Sequence, residues 1–170
     1  EGLIRNAQKS VVKLDIFEKE RPVGIQIFGA NLDSMLKAVD IVEKSNPDII
    51  DINFGCPVKK VVSKGAGAGI LKDIGLMQKL TYDMARRTNL PVTVKTRLGW
   101  DEKSIKIVEV AERIQDAGAK AIAIHGRTRS QMYKGKADWA PIAQVKNNPR
   151  MNIPVFGNGD VNSPEKALEM

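Results

Sequence analysis

The sequence predicts an α/β protein built on a parallel sheet, of the (β/α)₈ barrel (TIM barrel) type but incomplete. Apolar runs of about five residues alternate with segments in which apolar residues recur at helical spacing. Strands that are almost continuously apolar indicate a sheet buried on both faces. Each run closes on a polar residue, and these residues recur at intervals of roughly 30 positions or more, the length of a βαβ unit.

Five strands are expected, each bounded by turn-forming residues. They cover residues 22–28, 48–53, 91–96, 121–125 and 153–157. A doubly wound open sheet would also bring the carboxyl ends of its strands together, at one crevice rather than around a ring. The spacing of the strands alone therefore leaves this alternative to a barrel open.

Helices are expected after the strands, wherever apolar residues repeat three and four positions apart. The apolar faces consist of Met35, Leu36, Val39 and Val42, then Leu76, Leu80 and Met84, then Ile107, Val110, Ala111 and Ile114. Gly118 ends the third of these helices, a short helix follows near 139–145, and Ser163 caps a last one before Pro164. A helix is also expected over residues 2–9, residues 11–17 receive no assignment, and a long glycine-rich loop is expected up to Lys72.

Composition excludes several classes of protein. No apolar run approaches the ~18 residues of a membrane helix, no signal peptide precedes the first helix-like segment, and cytoplasmic localisation is expected. A single cysteine and a single histidine exclude an internal disulfide and a structural zinc site, so no metal is expected. The net charge of +7 permits a polyanionic partner without requiring one.

The length of 170 residues suits one small domain, yet a closed (β/α)₈ barrel needs roughly 250. Since both ends of the chain lie in helix-like segments, we expect residues 1–170 to be a fragment of a catalytic barrel, covering strands three to seven.

Polar side chains end all five predicted strands: Gln26, Asn53, Lys95, His125 and Asn158. Any one of them could simply cap the next helix. In a barrel, however, the carboxyl ends of the strands meet at one mouth, where active sites lie. Five chemically useful side chains in succession therefore predict a site there.

Cys56 follows the second strand, between Gly55 and Pro57. A lone thiol is most often a buried structural residue. On a turned loop at the mouth it could act as a general acid, since an ordinary thiol is protonated at neutral pH. As a nucleophile it would need a base, for which His125 is the candidate.

Lys95 and Arg97 alternate on one strand and so face the same side of the sheet. Two cations at a mouth indicate an anionic partner such as a phosphate, an enolate or a reduced flavin. By contrast, the run 65–69 (Gly-Ala-Gly-Ala-Gly) does not directly follow a strand, as the Rossmann dinucleotide-binding fingerprint does. It also precedes no Gly-Lys-Ser/Thr, so it is not a Walker phosphate-binding loop. Alone it indicates a flexible or closely packed loop.

The segments 23–29, 51–57, 94–100, 124–129 with Tyr133, and 158–160 together resemble the motifs of the tRNA-dihydrouridine synthases. These motifs occur in the family's order between Pro22 and Asp160, which is most of the chain. The stretch 64–72 is most similar to the bacterial B-type branch.

The resemblance implies a barrel that binds flavin mononucleotide (FMN) and reduces uridine in tRNA to 5,6-dihydrouridine with NADPH. It implies that Cys56 is the general acid that protonates uracil C5 while reduced flavin delivers hydride to C6. The remaining implied site residues fall into three groups: Gln26, Lys95 and His125 at the flavin; Asn158, Gly159 and Asp160 at its ribityl-phosphate end; and Asn53, Arg97 and Tyr133 facing uracil. The resemblance also implies that the N-terminal strands, the last barrel strand and a C-terminal helical domain that helps to hold tRNA lie outside residues 1–170. A monomer is expected for the full-length protein.

Three other functions remain open from the residues. A dihydroorotate dehydrogenase-like flavin barrel would act on a free pyrimidine, an aldolase would form a Schiff base on Lys95, and a non-catalytic module would bind RNA alone. The basic residues that follow the strands favour an RNA substrate over a free pyrimidine.

Overall fold

The alternation of buried and open positions along the strands divides the sheet into two faces. The computed structural model describes residues 2–5 and 7–170, and in it Ile50 and Ile52 are fully buried while Asp51 and Asn53 between and after them are not. Such alternation places successive side chains on opposite faces. Helices cover the apolar face, and the other face carries the polar side chains.

Five parallel strands form one sheet. They are β1 (Gly24–Ile27), β2 (Ile49–Asn53), β3 (Val92–Arg97), β4 (Ala121–His125) and β5 (Val155–Asn158). Their spatial order follows their order in sequence. A doubly wound sheet reverses its strand order at a switch point. The sequential order is instead that of a (β/α)₈ barrel, of which the chain supplies five consecutive units.

Seven α-helices lie among the described residues. They are α1 (Gln8–Val11), α2 (Leu32–Glu43), α3 (Lys59–Val62), α4 (Ile74–Arg87), α5 (Ile107–Asp116), α6 (Ala140–Lys146) and α7 (Pro164–Glu169). The predicted apolar faces of α2, α4 and α5 pack with the buried strand residues into one core. No described helix is both long and apolar enough to cross a membrane.

Short polar side chains begin the two longest described helices, α2 and α4. Asn31 accepts a hydrogen bond from the Ser34 amide at 2.9 Å, and Asp73 accepts one from the Leu76 amide at 2.8 Å. Each satisfies an amide that the first helical turn leaves unpaired. Gly118 follows α5 with a φ of +101°, a conformation that favours glycine and ends the helix as the sequence predicts.

The expected helix over residues 2–9 is wrong. Residues 2–5 form turns, residue 6 lies outside the described residues, and the helix is the single turn Gln8–Val11. No side chain caps this turn, and a short isolated helix has little stability without packing. The unassigned residues 11–17 include a 3₁₀ turn at Val12–Leu14. Strand β4 has its predicted bounds, and the other four strands differ from theirs by one or two residues at one or both ends.

The glycine-rich stretch is structured rather than a long loop. The short helix α3 leads into it, and Gly67–Lys72 forms a 3₁₀ helix whose residues from Gly67 to Leu71 are all buried. Of the two expectations for this run, close packing is confirmed. Absent side chains at Gly67 and Gly69 let its backbone approach the loop after β2 and helix α3.

Gly157→Ala tests the packing of β5. A methyl group there would overlap the ring of Trp139, whose Nε1 donates to the Gly159 carbonyl at 3.0 Å. We expect the free energy of unfolding to fall by roughly 1–3 kcal/mol, measured by chemical denaturation, because the ring must move. Gly75→Ala in α4 is the control: its nearest neighbour would be 3.4 Å away, so stability should hold or rise. Equal losses would contradict the role of Trp139.

Candidate active site

Strand register collects the predicted polar residues at the carboxyl ends of the strands. Asn53 is paired with Lys95, Arg97 with His125, and His125 with Asn158. Paired residues of parallel strands project from the same face. These five side chains therefore lie on the polar face, at the end of the sheet where a barrel has its mouth.

A chain of hydrogen bonds joins the polar side chains of β1, β2 and β3. Asn53 donates to Gln26 at 2.7 Å, Gln26 donates to Asp51 at 2.5 Å, and Thr93 donates to Asp51 at 2.6 Å. The prediction included Gln26 and Asn53 but missed Asp51. In the sequence, Asp51 could have been found as a carboxylate inside an otherwise apolar strand, because such a placement requires hydrogen-bond donors on the neighbouring strands.

Asn53 also holds the loop that carries Cys56. Its side-chain oxygen accepts hydrogen bonds from the amides of Gly55 at 2.9 Å and Cys56 at 2.8 Å. The cysteine is half-buried and has a free thiol. Asn53, predicted to face a substrate, is thus already the group that orients the Cys56 backbone.

Lys95 extends across the mouth from β3 to β5. Its ammonium donates to the side-chain oxygen of Asn158 at 3.3 Å. Burial lowers the pKa of Lys95, the nearby Arg97 lowers it further, and Asp51 opposes both. An ammonium that is desolvated and bonded to an uncharged amide would be stabilised by an added anion.

Arg97 is almost fully buried, with 2% of its surface exposed. Its guanidinium donates to the carbonyls of Gly55 at 2.8 Å, Thr128 at 3.1 Å and Met132 at 2.7 Å. Burial lowers the pKa of Arg97. Its observed contacts tie two loops together, and contact with a substrate stays a prediction.

His125 is uncharged at neutral pH. Burial and the cations of Arg97, Lys95 and Arg127 lower its pKa to about 4, against the opposing charge of Asp160. Arg127 Nη1 lies 3.3 Å from His125 Nε2. Since a guanidinium only donates, this contact assigns the acceptor role to Nε2 and the ring proton to Nδ1.

Arg127 is a buried residue that the site predicted from the sequence does not include. It forms an ion pair with Asp160 at 2.7 Å and donates to the carbonyls of Lys134 at 3.2 Å and Gly135 at 2.6 Å. Its signal was the His-Gly-Arg-Thr-Arg run after β4. Asp160 also accepts from the Ala137 amide at 2.6 Å, and that bond, Arg127 and His125 lower its pKa.

Gly159 makes the close approach between β5 and His125 possible. Its φ is +118°, and a Cβ there would lie 2.8 Å from both His125 Cδ2 and Ala137 Cβ. The space that a Cβ of Gly159 would need is therefore already occupied by His125 and Ala137.

Tyr133 stands at the rim, with 70% of its surface exposed. Its ring lies 6.3 Å from the His125 ring, and the Arg97 guanidinium lies 5.4 Å from its centre. An exposed aromatic ring beside a cation offers a flat base a stacking surface.

Basic residues surround the mouth. Lys59 and Lys60 are exposed on α3, directly after the Cys56 loop, and Lys134 and Lys136 are exposed after β4. Trp100, in the loop after β3, has Lys72 Nζ 3.8 Å and Arg129 Cζ 4.7 Å from its ring. The described residues contain no cluster of side chains suited to a metal ion.

Comparison with known proteins identifies a family. The family model described as dihydrouridine synthase (Dus) matches residues 1–170. The chain is 43% identical over 155 residues to "Probable tRNA-dihydrouridine synthase 1" of Synechocystis sp., covering 91% of the chain and 43% of that protein.

Two relatives carry the name tRNA-dihydrouridine synthase B. The one from Pseudomonas aeruginosa is 40% identical over 165 residues, covering 97% of the chain and 49% of the relative. The one from Vibrio cholerae is 41% identical over 143 residues, covering 84% and 44%. The chain thus spans less than half the length of these curated relatives.

Acid should destabilise the protein through His125. Because the folded pKa is about 4 and an unfolded histidine titrates near 6.5, the unfolded state binds an extra proton between these values. We expect the free energy of unfolding to fall by up to about 3 kcal/mol as pH drops from 6.5 to 4. Chemical denaturation of the original protein and of His125→Asn across this pH range isolates the contribution of the imidazole. If the free energy of unfolding depended on pH identically in both, the imidazole would not be held neutral in the folded state.

Proposed function

The chain belongs to the dihydrouridine synthase family, and on that premise we propose that it forms the core of an enzyme that reduces uridine in tRNA to 5,6-dihydrouridine. The names of its relatives support the tRNA substrate, and several of them support the B-type branch. One observation carries the mechanism: Asn53 accepts a hydrogen bond from the Cys56 amide and so holds Cys56 at the polar ends of the strands.

We propose that three further βα units, supplied by sequence outside residues 1–170, close the barrel. In the described residues β1 and β5 each pair with one strand only, so the polar face is open along both edges. Barrels of this type have eight strands. The greater length of the relatives supports this, and leaves room for a separate helical domain that holds tRNA.

The residues at the mouth fit FMN as a cofactor. The edge of a flavin ring presents nitrogen and oxygen atoms and becomes anionic on reduction. The amide of Gln26, the ammonium of Lys95 and the uncharged imidazole of His125 supply complementary polar groups, and Lys95 bonds to an amide rather than a carboxylate. We therefore assign these three residues to the flavin.

Asn158, Gly159 and Asp160 are proposed to lie at the ribityl-phosphate end. The Asp160 carboxylate would repel a phosphate directly, and it is engaged by Arg127 and the Ala137 amide. Its contribution is therefore to hold Arg127 and the turn, so that backbone amides and the Asn158 amide face the ligand. When bound, FMN reduced by NADPH supplies the hydride that uracil C6 receives.

Cys56 supplies the proton in this proposal. Hydride addition at C6 places negative charge on the C4 carbonyl of uracil, as an enolate. The Cys56 thiol protonates C5 and so restores a neutral ring, as a general acid. The cations of Lys95 and Arg97 stabilise the charge as it develops.

Asn53, Arg97 and Tyr133 are proposed to face the uracil. Tyr133 offers its exposed ring for stacking, and the Arg97 guanidinium lies beneath that ring. A uridine within folded tRNA must leave its stack to reach the mouth, so base flipping is part of the proposal. The free-pyrimidine, aldolase and RNA-module alternatives are less consistent with the names of the relatives.

Cys56→Ala should retain FMN yet lower the rate of uridine reduction by about 100-fold or more, because a positioned general acid contributes that much. The assay follows dihydrouridine formation in unmodified tRNA with NADPH and the full-length enzyme. Flavin absorbance near 450 nm monitors cofactor content. Near-normal turnover would remove Cys56 from the reaction.

Binding of tRNA should weaken steeply with added salt, because phosphate contacts release counterions. Lys59→Gln and Lys60→Gln should each reduce the slope of log affinity against log salt by about 1. Lys120→Gln is the control, since Lys120 is exposed just before β4, at the opposite end of the sheet. A flat salt response would instead favour a free pyrimidine as substrate.

A further inference from the structure

We infer that Gly67 is a positioning residue for Cys56, and that Gly67 and Ala68 of the glycine-rich segment 65–69 support the reacting loop from behind. The inference rests on the proposed role of Cys56 and adds a function for a motif that the proposed mechanism does not use. Neither the nucleotide-binding motifs nor the strand-end pattern explains this segment.

The segment touches the backbone of Cys56 directly. The Ala68 amide donates to the Cys56 carbonyl at 2.9 Å. Both Gly67 and Ala68 are buried, and the 3₁₀ helix that they begin packs against the loop after β2. The Cys56 carbonyl thus has a fixed donor that comes from a separate part of the chain.

Glycine is required at position 67 for two reasons. Its φ is +55°, where a side chain is strained. A Cβ on Gly67 would also lie 2.7 Å from the Cys56 carbonyl oxygen and 3.0 Å from Cys56 Cβ. The first distance is too short for real atoms, so either Cys56 or the segment would have to shift.

Cys56 is consequently held from both sides. The side-chain oxygen of Asn53 accepts a hydrogen bond from the Cys56 amide at 2.8 Å, and the Ala68 amide donates one to the Cys56 carbonyl. These two contacts fix the peptide groups on either side of the thiol. Since a displacement of about 1 Å can cost roughly 100-fold in rate, the support has a direct consequence for proton delivery.

Two neighbouring glycines provide matched controls. Gly65 shares the positive φ, at +74°, but a Cβ there would meet only Ala30 Cβ at 3.5 Å. Gly69 shares the crowding, since its Cβ would lie 2.8 Å from the Val62 carbonyl, but Cys56 is not among its nearest neighbours. Together they separate backbone strain and general crowding from displacement of Cys56.

The experiment compares Gly65→Ala, Gly67→Ala and Gly69→Ala in the full-length enzyme. For Gly67→Ala we expect kcat for tRNA to fall by roughly 100-fold with KM little changed. Reduction of the flavin by NADPH should keep its rate, because that step does not use Cys56. Both control variants should keep the kcat of the folded enzyme even where their stability falls.

A second readout does not depend on turnover. The rate at which iodoacetamide alkylates Cys56 in the flavin-free protein, followed by mass spectrometry of its peptide, should change in Gly67→Ala and stay unchanged in both controls. If Gly67→Ala does not fold, the double variant with Val61→Ala replaces it. That change removes the Val61 Cγ1 contact at 3.0 Å and keeps the clash with Cys56.

The outcomes separate the two proposals. Loss of turnover in Gly67→Ala and Cys56→Ala, with both controls active, supports the positioning role. Equal kcat in Gly67→Ala and Gly69→Ala, together with unchanged alkylation of Cys56, would overturn the positioning role. The proposed function would still stand in that case if Cys56→Ala were inactive. An active Cys56→Ala would instead remove Cys56 from the proposed mechanism, on which this inference rests.

Discussion

The buried guanidinium of Arg97 is the contact on which the arrangement of the mouth depends. It lies at the end of β3 and donates to the carbonyl of Gly55 after β2 and to those of Thr128 and Met132 after β4. These carbonyls satisfy a charge that burial makes costly. One side chain therefore sets the distance between the Cys56 loop and the loop that carries Tyr133, and neither loop could move independently without leaving a buried donor unpaired.

The electrostatics of the mouth follow from this concentration of positive charge. Lys95, Arg97 and Arg127 surround His125, whereas Asp160 is paired with Arg127 and Asp51 is engaged by its neighbours. The imidazole therefore stays neutral, and the ammonium of Lys95 keeps a lowered pKa. A site with these properties favours a ligand or reaction step that brings negative charge, because the charge would be stabilised without reorganisation of the surrounding groups. Lys59, Lys60 and the cations around Trp100 extend the same field beyond the mouth.

Glycines serve the site through close approach rather than flexibility. Gly159 lets β5 approach His125, and Gly67 lets the buried 3₁₀ helix approach Cys56. In both places the space that a side chain would fill is occupied by a residue of the proposed site. The glycine-rich segment, which resembles a mobile loop in composition, is for this reason part of the rigid framework.

The sequence by itself determined the α/β class, all five strands and the polar residues at their ends, because hydrophobic periodicity and strand-end position are local properties of the chain. It also identified the family, through motifs spread from Pro22 to Asp160. Only the tertiary structure decided which partners those residues have. It showed that Arg97, a cation predicted to lie at the mouth, is buried and ties two loops together. It also paired Asp160 with Arg127, added Asp51 to the polar network and placed Gly67 against Cys56. These pairings join residues far apart in the chain or in different loops, and a hydrogen bond or a clash depends on distances that no sequence pattern specifies.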